Sequence, residues 1–175
     1  MKTRARVGRR PLIPRIEDTG LTMFMTVNGL EAIVLFDSGS TSDSISPEFA
    51  KVAGCRTFEL ENPTQLQLGC SGSKSTISHG AQVPIRVGDT AVDVYLDVVN
   101  LDRYDVVFGT PFLRRLGVLL DFKNSVIIIQ GQRFTALTPL EEDVGASRRK
   151  HVNRGNQTPS NQTPAIRSMR TRASE

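Results

Sequence analysis

Ile33-Val34-Leu35-Phe36-Asp37-Ser38-Gly39-Ser40-Thr41 runs an apolar segment straight into a carboxylate, a hydroxyl and a glycine. The apolar run ends a strand read at Leu30–Phe36, which leads directly into Asp37. Glycine lets the backbone turn tightly beneath the acid. Peptide hydrolysis by acids needs two carboxylates close enough to share one proton, one acting as a base on water while the other donates to the carbonyl oxygen. A carboxylate held at the end of a buried strand suits that chemistry. Alone, Asp-Ser-Gly is also an ordinary turn tripeptide, so the reading depends on its surroundings.

Outward from this stretch the pattern is mostly strand. Leu21–Val27 precedes it, and Asn28-Gly29 between them is a hairpin signal. Beyond it, Ser46-Pro47 reads as an N-cap followed by proline at the first helical position, opening a helix at Glu48–Ala53 that Gly54 closes. Residues 64–68 and Lys74–Ser78 read as strands around the turn Gly69-Cys70-Ser71-Gly72, and Gln82–Val87 and Ala91–Val99 flank the turn Gly88-Asp89. Tyr104–Phe108 is a further short strand. Thr110-Pro111 repeats the cap-and-proline start, and Phe112–Leu116 forms a helix stopped by Gly117. Val118–Phe122, Val126–Gln130 and Arg133–Leu137 complete the pattern. Many short strands with two short helices predict an all-β barrel or closed sandwich.

The second motif stands some seventy residues after the first: Asp105-Val106-Val107-Phe108-Gly109-Thr110-Pro111, leading into the helix. An Asp-Ser-Gly after an apolar strand, followed by apolar-apolar-Gly and a helix, resembles the retropepsin-like aspartic proteases. The likeness is greatest to those of LTR retrotransposons and to the DNA-damage-inducible ubiquitin-shuttle proteases, and it spans roughly residues 20–140. It implies a closed acid-protease barrel in which Asp37, Ser38 and Gly39 are catalytic. Val107, Phe108 and Gly109 thread behind the catalytic loop, where the glycine allows close backbone approach. A substrate-covering flap is expected at Gln65–His79, with Cys70, Ser71, Gly72 and Ser73 at its tip and Ser40 as a further substrate contact. Ser40 replaces the alanine common in the family. Its hydroxyl is expected to strengthen hydrogen bonding near Asp37 and so lower the pH optimum. Cys70 reads either as an oxidisable flap thiol or, more plainly, as a small apolar strand residue.

Asp-Ser-Gly occurs once. The other candidate, Asp43-Ser44-Ile45, lacks the glycine and has no strand leading into it. A single carboxylate cannot be acid and base at the same moment, so a homodimer is expected, with two copies of Asp37 at a two-fold axis and the Ser38 hydroxyls tying the loops across it. A polypeptide is the expected substrate and polyprotein processing the expected role. The competing readings are an idle dimerisation or peptide-docking module of the same fold, and nucleic-acid contact through the tails.

Composition bounds these readings. The chain has 175 residues, 38% of them hydrophobic, with two cysteines (Cys55 and Cys70) and two histidines (His79 and His151). That suits one domain. The cysteines are too few for a disulfide framework, and the spacing of thiols and imidazoles fits no metal site, so neither metal nor cofactor is expected. No apolar run reaches a membrane span, and the charged N-terminus lacks an apolar stretch of the secretory kind. An intracellular, cytoplasmic location is expected, within retrotransposon particles on the family likeness. The net charge of +4 conceals an asymmetry: residues 1–15 carry six basic groups, and residues 146–175 carry seven basic groups and one acid. Residues 16–145 then hold nine basic and seventeen acidic groups, a net of −8. Three regions are therefore expected: a basic flexible arm at 1–18, a protease domain at 19–140 and a disordered basic tail at 141–175. Clustered arginines in such tails would contact nucleic acid without sequence preference.

Overall fold

Alternation of apolar and polar residues makes the first hairpin. Leu21, Met23, Met25 and Val27 of strand β1 (Leu21–Val27) point inward, as do Ala32, Val34 and Phe36 of β2 (Leu30–Phe36). The two strands pair from Leu21↔Phe36 to Val27↔Leu30. Asn28 and Gly29 make the turn at φ of 48° and 82°, the left-handed pair whose twist matches a two-residue hairpin. The computed structural model describes residues 11–67 and 74–155, with the side chains of 67, 74 and 148–155 outside that description.

The remaining strands close this hairpin into a barrel. After β3 (Ser44–Ile45) and helix α1 (Pro47–Val52) come β4 (Thr57–Gln67), β5 (Lys74–Val87), β6 (Thr90–Val98) and β7 (Val106–Phe108). β2 pairs in parallel with β7, β7 antiparallel with β3, and β3 in parallel with β6. The β5–β6 hairpin then brings Arg86 and Ile85 back to Thr26 and Val27 of β1. The ring has six strands, β1-β2-β7-β3-β6-β5, and β4 hangs outside on β5. Closure leaves the ring without free edges. Val27, Val34, Ile45, Val83, Ile85, Leu96, Val106 and Phe108 fill its interior with no exposed surface. Burying each contributes about 1.5–3 kcal/mol.

Beyond the ring, helix α2 (Thr110–Arg115) leads to a three-stranded antiparallel sheet of β8 (Leu119–Asp121), β9 (Val126–Ile129) and β10 (Gln132–Thr135), in the order β10-β9-β8. Ile127 and Ile129 of β9 join the barrel core.

The structure differs from the sequence reading in several places. The strands read at Lys74–Ser78 and Gln82–Val87 are one continuous strand, β5, and β7 begins at Val106 rather than Tyr104. β4 begins at Thr57 rather than 64, because a register shift between Glu59 and Thr64 absorbs Asn62-Pro63. The N-cap of α2 is Gly109, not Thr110, and no local side chain caps it. The boundary expected at 140 falls inside a third helix, α3 (Pro139–Gly155), where a disordered tail was expected to begin at 141. Its first turn is folded for physical reasons. The Thr138 amide and hydroxyl both donate to Glu141 Oε2 at 2.8 Å, and the Glu141 amide donates back to Thr138 Oγ1 at 3.4 Å. That is a reciprocal capping box. Glu142 is 3% exposed and accepts from Arg103, Asp143 pairs with Arg15 at 2.6 Å, and Gly145 lies against Ile33 and Phe24. The parts of the expected arm and tail at 1–10 and 156–175 lie outside the described residues.

Candidate active site

Asp37 follows the last residue of β2, at the seam where β2 and β7 run parallel. Val34↔Val106, Leu35↔Val107 and Phe36↔Phe108 align the two strands, and the Asp37 amide donates to the Phe108 carbonyl at 2.9 Å. Beneath it sit three phenyl rings. Phe108 and Phe112 stack with centroids 3.6 Å apart, and Phe36 lies 5.8 Å from Phe108. These rings form an apolar floor within the buried core. The carboxylate is half-buried, while Ser38 and Gly39 are exposed. The Gly39 amide donates to Asp37 Oδ1 at 2.9 Å and the Ser40 amide to the Asp37 carbonyl at 3.1 Å. One carboxylate oxygen is thus oriented by the loop, on the face the chain leaves open.

The second motif braces this loop from behind. The Thr110 amide donates to the Ser40 carbonyl at 2.9 Å. At Gly109 the backbones come so close that an added Cβ would overlap the Ser42 carbonyl oxygen and lie 2.7 Å from that of Ser40. Only glycine fits there. The Ser40 hydroxyl donates to the Ser42 carbonyl at 2.8 Å. It therefore holds the loop itself instead of bonding to the Asp37 carboxylate, where the sequence reading expected it to strengthen hydrogen bonding.

A second carboxylate, passed over in the sequence, completes the brace. Asp43 is 7% exposed. Its Oδ1 accepts from the Gly109 amide at 2.7 Å and the Phe112 amide at 3.3 Å. Burial pushes its pKa up to about 6, against the pull of those two amides, with the negative charge of Asp97 adding to the rise. Asp43 acts on the site through Gly109. Its partners stand 66 and 69 residues away along the chain, so no local spacing could have disclosed it.

Val107, Phe108 and Gly109 are all buried directly behind the loop. The expected flap is the β4–β5 ladder, paired from Glu59↔His79 to Gln67↔Lys74. Its tip, with Cys70, Ser71, Gly72 and Ser73, lies outside the described residues.

The chain was compared with known proteins. A family model described as retroviral aspartyl protease matches residues 16–134. The chain is similar to the retroviral protease-like domain of Ddi1 from Leishmania major, at 16% identity, covering 69% of this chain and 95% of that one with a TM-score of 0.55. At that identity the likeness is one of fold. The chain is also similar to the EIAV protease in complex with an inhibitor (16% identity, 59% and 94% covered, TM-score 0.48). A retropepsin-like aspartic protease from Rickettsia conorii matches at 18% identity, with 60% and 76% covered and a TM-score of 0.41. No curated protein sequence matches the chain.

Proposed function

The chain belongs to the retroviral aspartyl protease family, and from that premise we propose that it is an aspartic endopeptidase that works as a homodimer. The observation that carries this reading is Asp37. It is a lone half-buried carboxylate, oriented by the Gly39 amide and backed by the Phe108 carbonyl and a phenyl floor. Two such groups facing each other across a two-fold axis titrate as a pair and hold one proton between them at working pH. The ionised member takes a proton from water as the oxygen attacks the scissile carbonyl carbon. The protonated member donates to the carbonyl oxygen. Collapse of the tetrahedral diol breaks the C–N bond: one member gives the leaving amine a proton while the other takes one from a diol hydroxyl, restoring the singly protonated dyad.

A surface for the second copy supports the reading. Among the described residues β8 is the outer strand of its sheet, paired with β9 on one side. Leu119 and Phe122, in and just after it, are 62% and 61% exposed. An edge strand with free backbone groups and uncovered apolar side chains pairs readily with its own symmetry mate. An extended polypeptide, held by backbone pairing beneath the β4–β5 hairpin, is the substrate, and processing of a longer polyprotein is the role.

Cleavage of an extended-peptide library between pH 4 and 7, with a pepstatin-type inhibitor as control, tests this. Asp37→Asn is expected to lower the rate by at least ~10³-fold. Specific activity is expected to fall on dilution as dimers dissociate. Cleavage that survives Asp37→Asn, or full activity from a monomer, overturns the mechanism. A folded dimer that cleaves nothing points instead to a docking module.

A further inference from the structure

A cavity of about 300 Å³ opens between the end of the catalytic loop, β6 and the start of α2. Its chemistry is unlike that of the barrel interior. Val94, Pro111 and Phe112 give it an apolar floor, and carboxylates of Asp43 and Asp97 stand above them. Both hydrogen bonds to Asp43 enter Oδ1, which leaves Oδ2 of a 93%-buried acid for a donor in the cavity. Ser42 Oγ, on the same wall, is buried without a hydrogen-bond partner. A buried hydroxyl left in this condition is costly, and a ligand that bonds to it relieves the cost.

The fourth wall is aromatic. Tyr95 donates its hydroxyl to Asp97 Oδ1 at 2.8 Å, which fixes both groups. Its ring lies over Gly80, where an added Cβ would sit 2.5 Å from Cε2, and packs beside Phe58 at 6.2 Å. Arg115 stands at the rim with Nη1 turned to the Asp93 carbonyl at 2.8 Å. The cavity thus offers two carboxylates against one cation, Arg115, whose Nη1 is bonded to a backbone carbonyl.

We propose that this cavity binds the basic side chain, lysine or arginine, of a residue in the polypeptide substrate. The apolar floor receives the methylene stem, Asp43 Oδ2 and Asp97 accept hydrogen bonds from the charged head, and the Tyr95 ring adds its negative face. Two carboxylates, one already bonded to Tyr95, supply too few oxygens for a bare divalent cation. Thr41 and Ser42 line the cavity and belong to the loop that begins at Asp37, which sets the cavity beside the catalytic loop. That the basic group belongs to a substrate rests on the endopeptidase reading; that the cavity binds it does not.

The test uses the full chain carrying Asp37→Asn and labelled with ¹⁵N, titrated with the amides of N-acetyl-lysine, N-acetyl-arginine and N-acetyl-norleucine. The basic probes are expected to shift the amides of Ser42, Asp43, Val94, Tyr95 and Asp97 saturably. The norleucine probe is expected to leave them in place, and Asp97→Asn is expected to weaken the basic probes about tenfold. If Asp97→Asn fails to fold, Tyr95→Phe, which releases Asp97 from its hydroxyl partner, is expected to change the same affinities. Equal shifts from norleucine, unchanged affinity in the folded variant, or the same shifts from calcium chloride alone would overturn the assignment. Absence of proteolysis by the unsubstituted chain would leave the titration intact, so the two readings fail separately.

Discussion

Helices α2 and α3 stand beside the same dipeptide, Thr-Pro, and are capped by opposite means. At α3, Thr138 and Glu141 satisfy each other within four residues. At α2, Thr110 lies inside the helix, Gly109 is the cap position, and the free amides of Gly109 and Phe112 are taken by Asp43 on a distant loop. A helix end needs its amides satisfied in either case. The difference is what else the bond does. The α3 cap holds only α3, whereas the α2 cap fastens the loop that carries Asp37 to the helix behind it. Equivalent substitutions at the two ends should therefore have unequal consequences.

The most disruptive change is expected at the α2 cap itself. Gly109→Ala places a methyl group against the carbonyls of Ser42 and Ser40, backbone atoms that cannot rotate away. Urea unfolding is expected to show a loss of more than about 3 kcal/mol, with proteolysis abolished. Asp43→Ala comes next. It strands two buried amides, at a cost of about 3 kcal/mol, and is expected to lower cleavage at least tenfold by loosening the loop. A variant of normal stability would show that the α2 cap is no tighter than that of α3.

Asp43→Asn sharpens the comparison through pH. The folded-state pKa of Asp43, about 6, lies above its ordinary 3.8 because burial disfavours the charge. The folded chain therefore binds this proton more tightly than the unfolded one. Stability from the protonated acid is fully present below about pH 4 and is lost as pH rises through about 6. The parent is expected to lose on the order of 2 kcal/mol across that window relative to Asp43→Asn, whose amide carries no titrating charge and still offers an acceptor. Urea midpoints at pH 4, 5, 6 and 7 measure this, and parallel profiles would refute it. The smallest effects belong to the threonines. Thr138→Ala is expected to cost about 1 kcal/mol with cleavage unchanged, and Thr110→Ala less than about 0.5 kcal/mol. A larger effect at Thr110 than at Thr138 would reverse the assignment of caps.

Much of the fold was legible because its signals are short-range. Asn28-Gly29 and Gly88-Asp89 announced their hairpins, and Ser46-Pro47 announced α1. Within β4 the signal failed: only pairing with β5 across a bulge keeps the strand continuous through Asn62-Pro63. Thr138-Pro139-Leu140-Glu141 carried a readable capping box, but the polar, arginine-rich stretch after it masked a helix whose first turns are held by Arg15, Arg103 and Ile33. At the site, Asp37 and Gly109 stood out by motif. Asp43 did not, because an aspartate in a serine-rich loop looks like any turn residue until its burial is known.

Alone, the sequence determined the succession of strands along the chain, the turn positions, the one Asp-Ser-Gly and the Val107-Phe108-Gly109 motif, each a property of residues within a few bonds of one another. Only the tertiary structure decided that Asp43 caps α2, that the Ser40 hydroxyl holds its own loop, and that Asp97 and Tyr95 share a cavity with that loop. The reason is that burial and hydrogen-bond partnership are set by closure of the barrel, which brings together groups tens of residues apart that no local pattern connects.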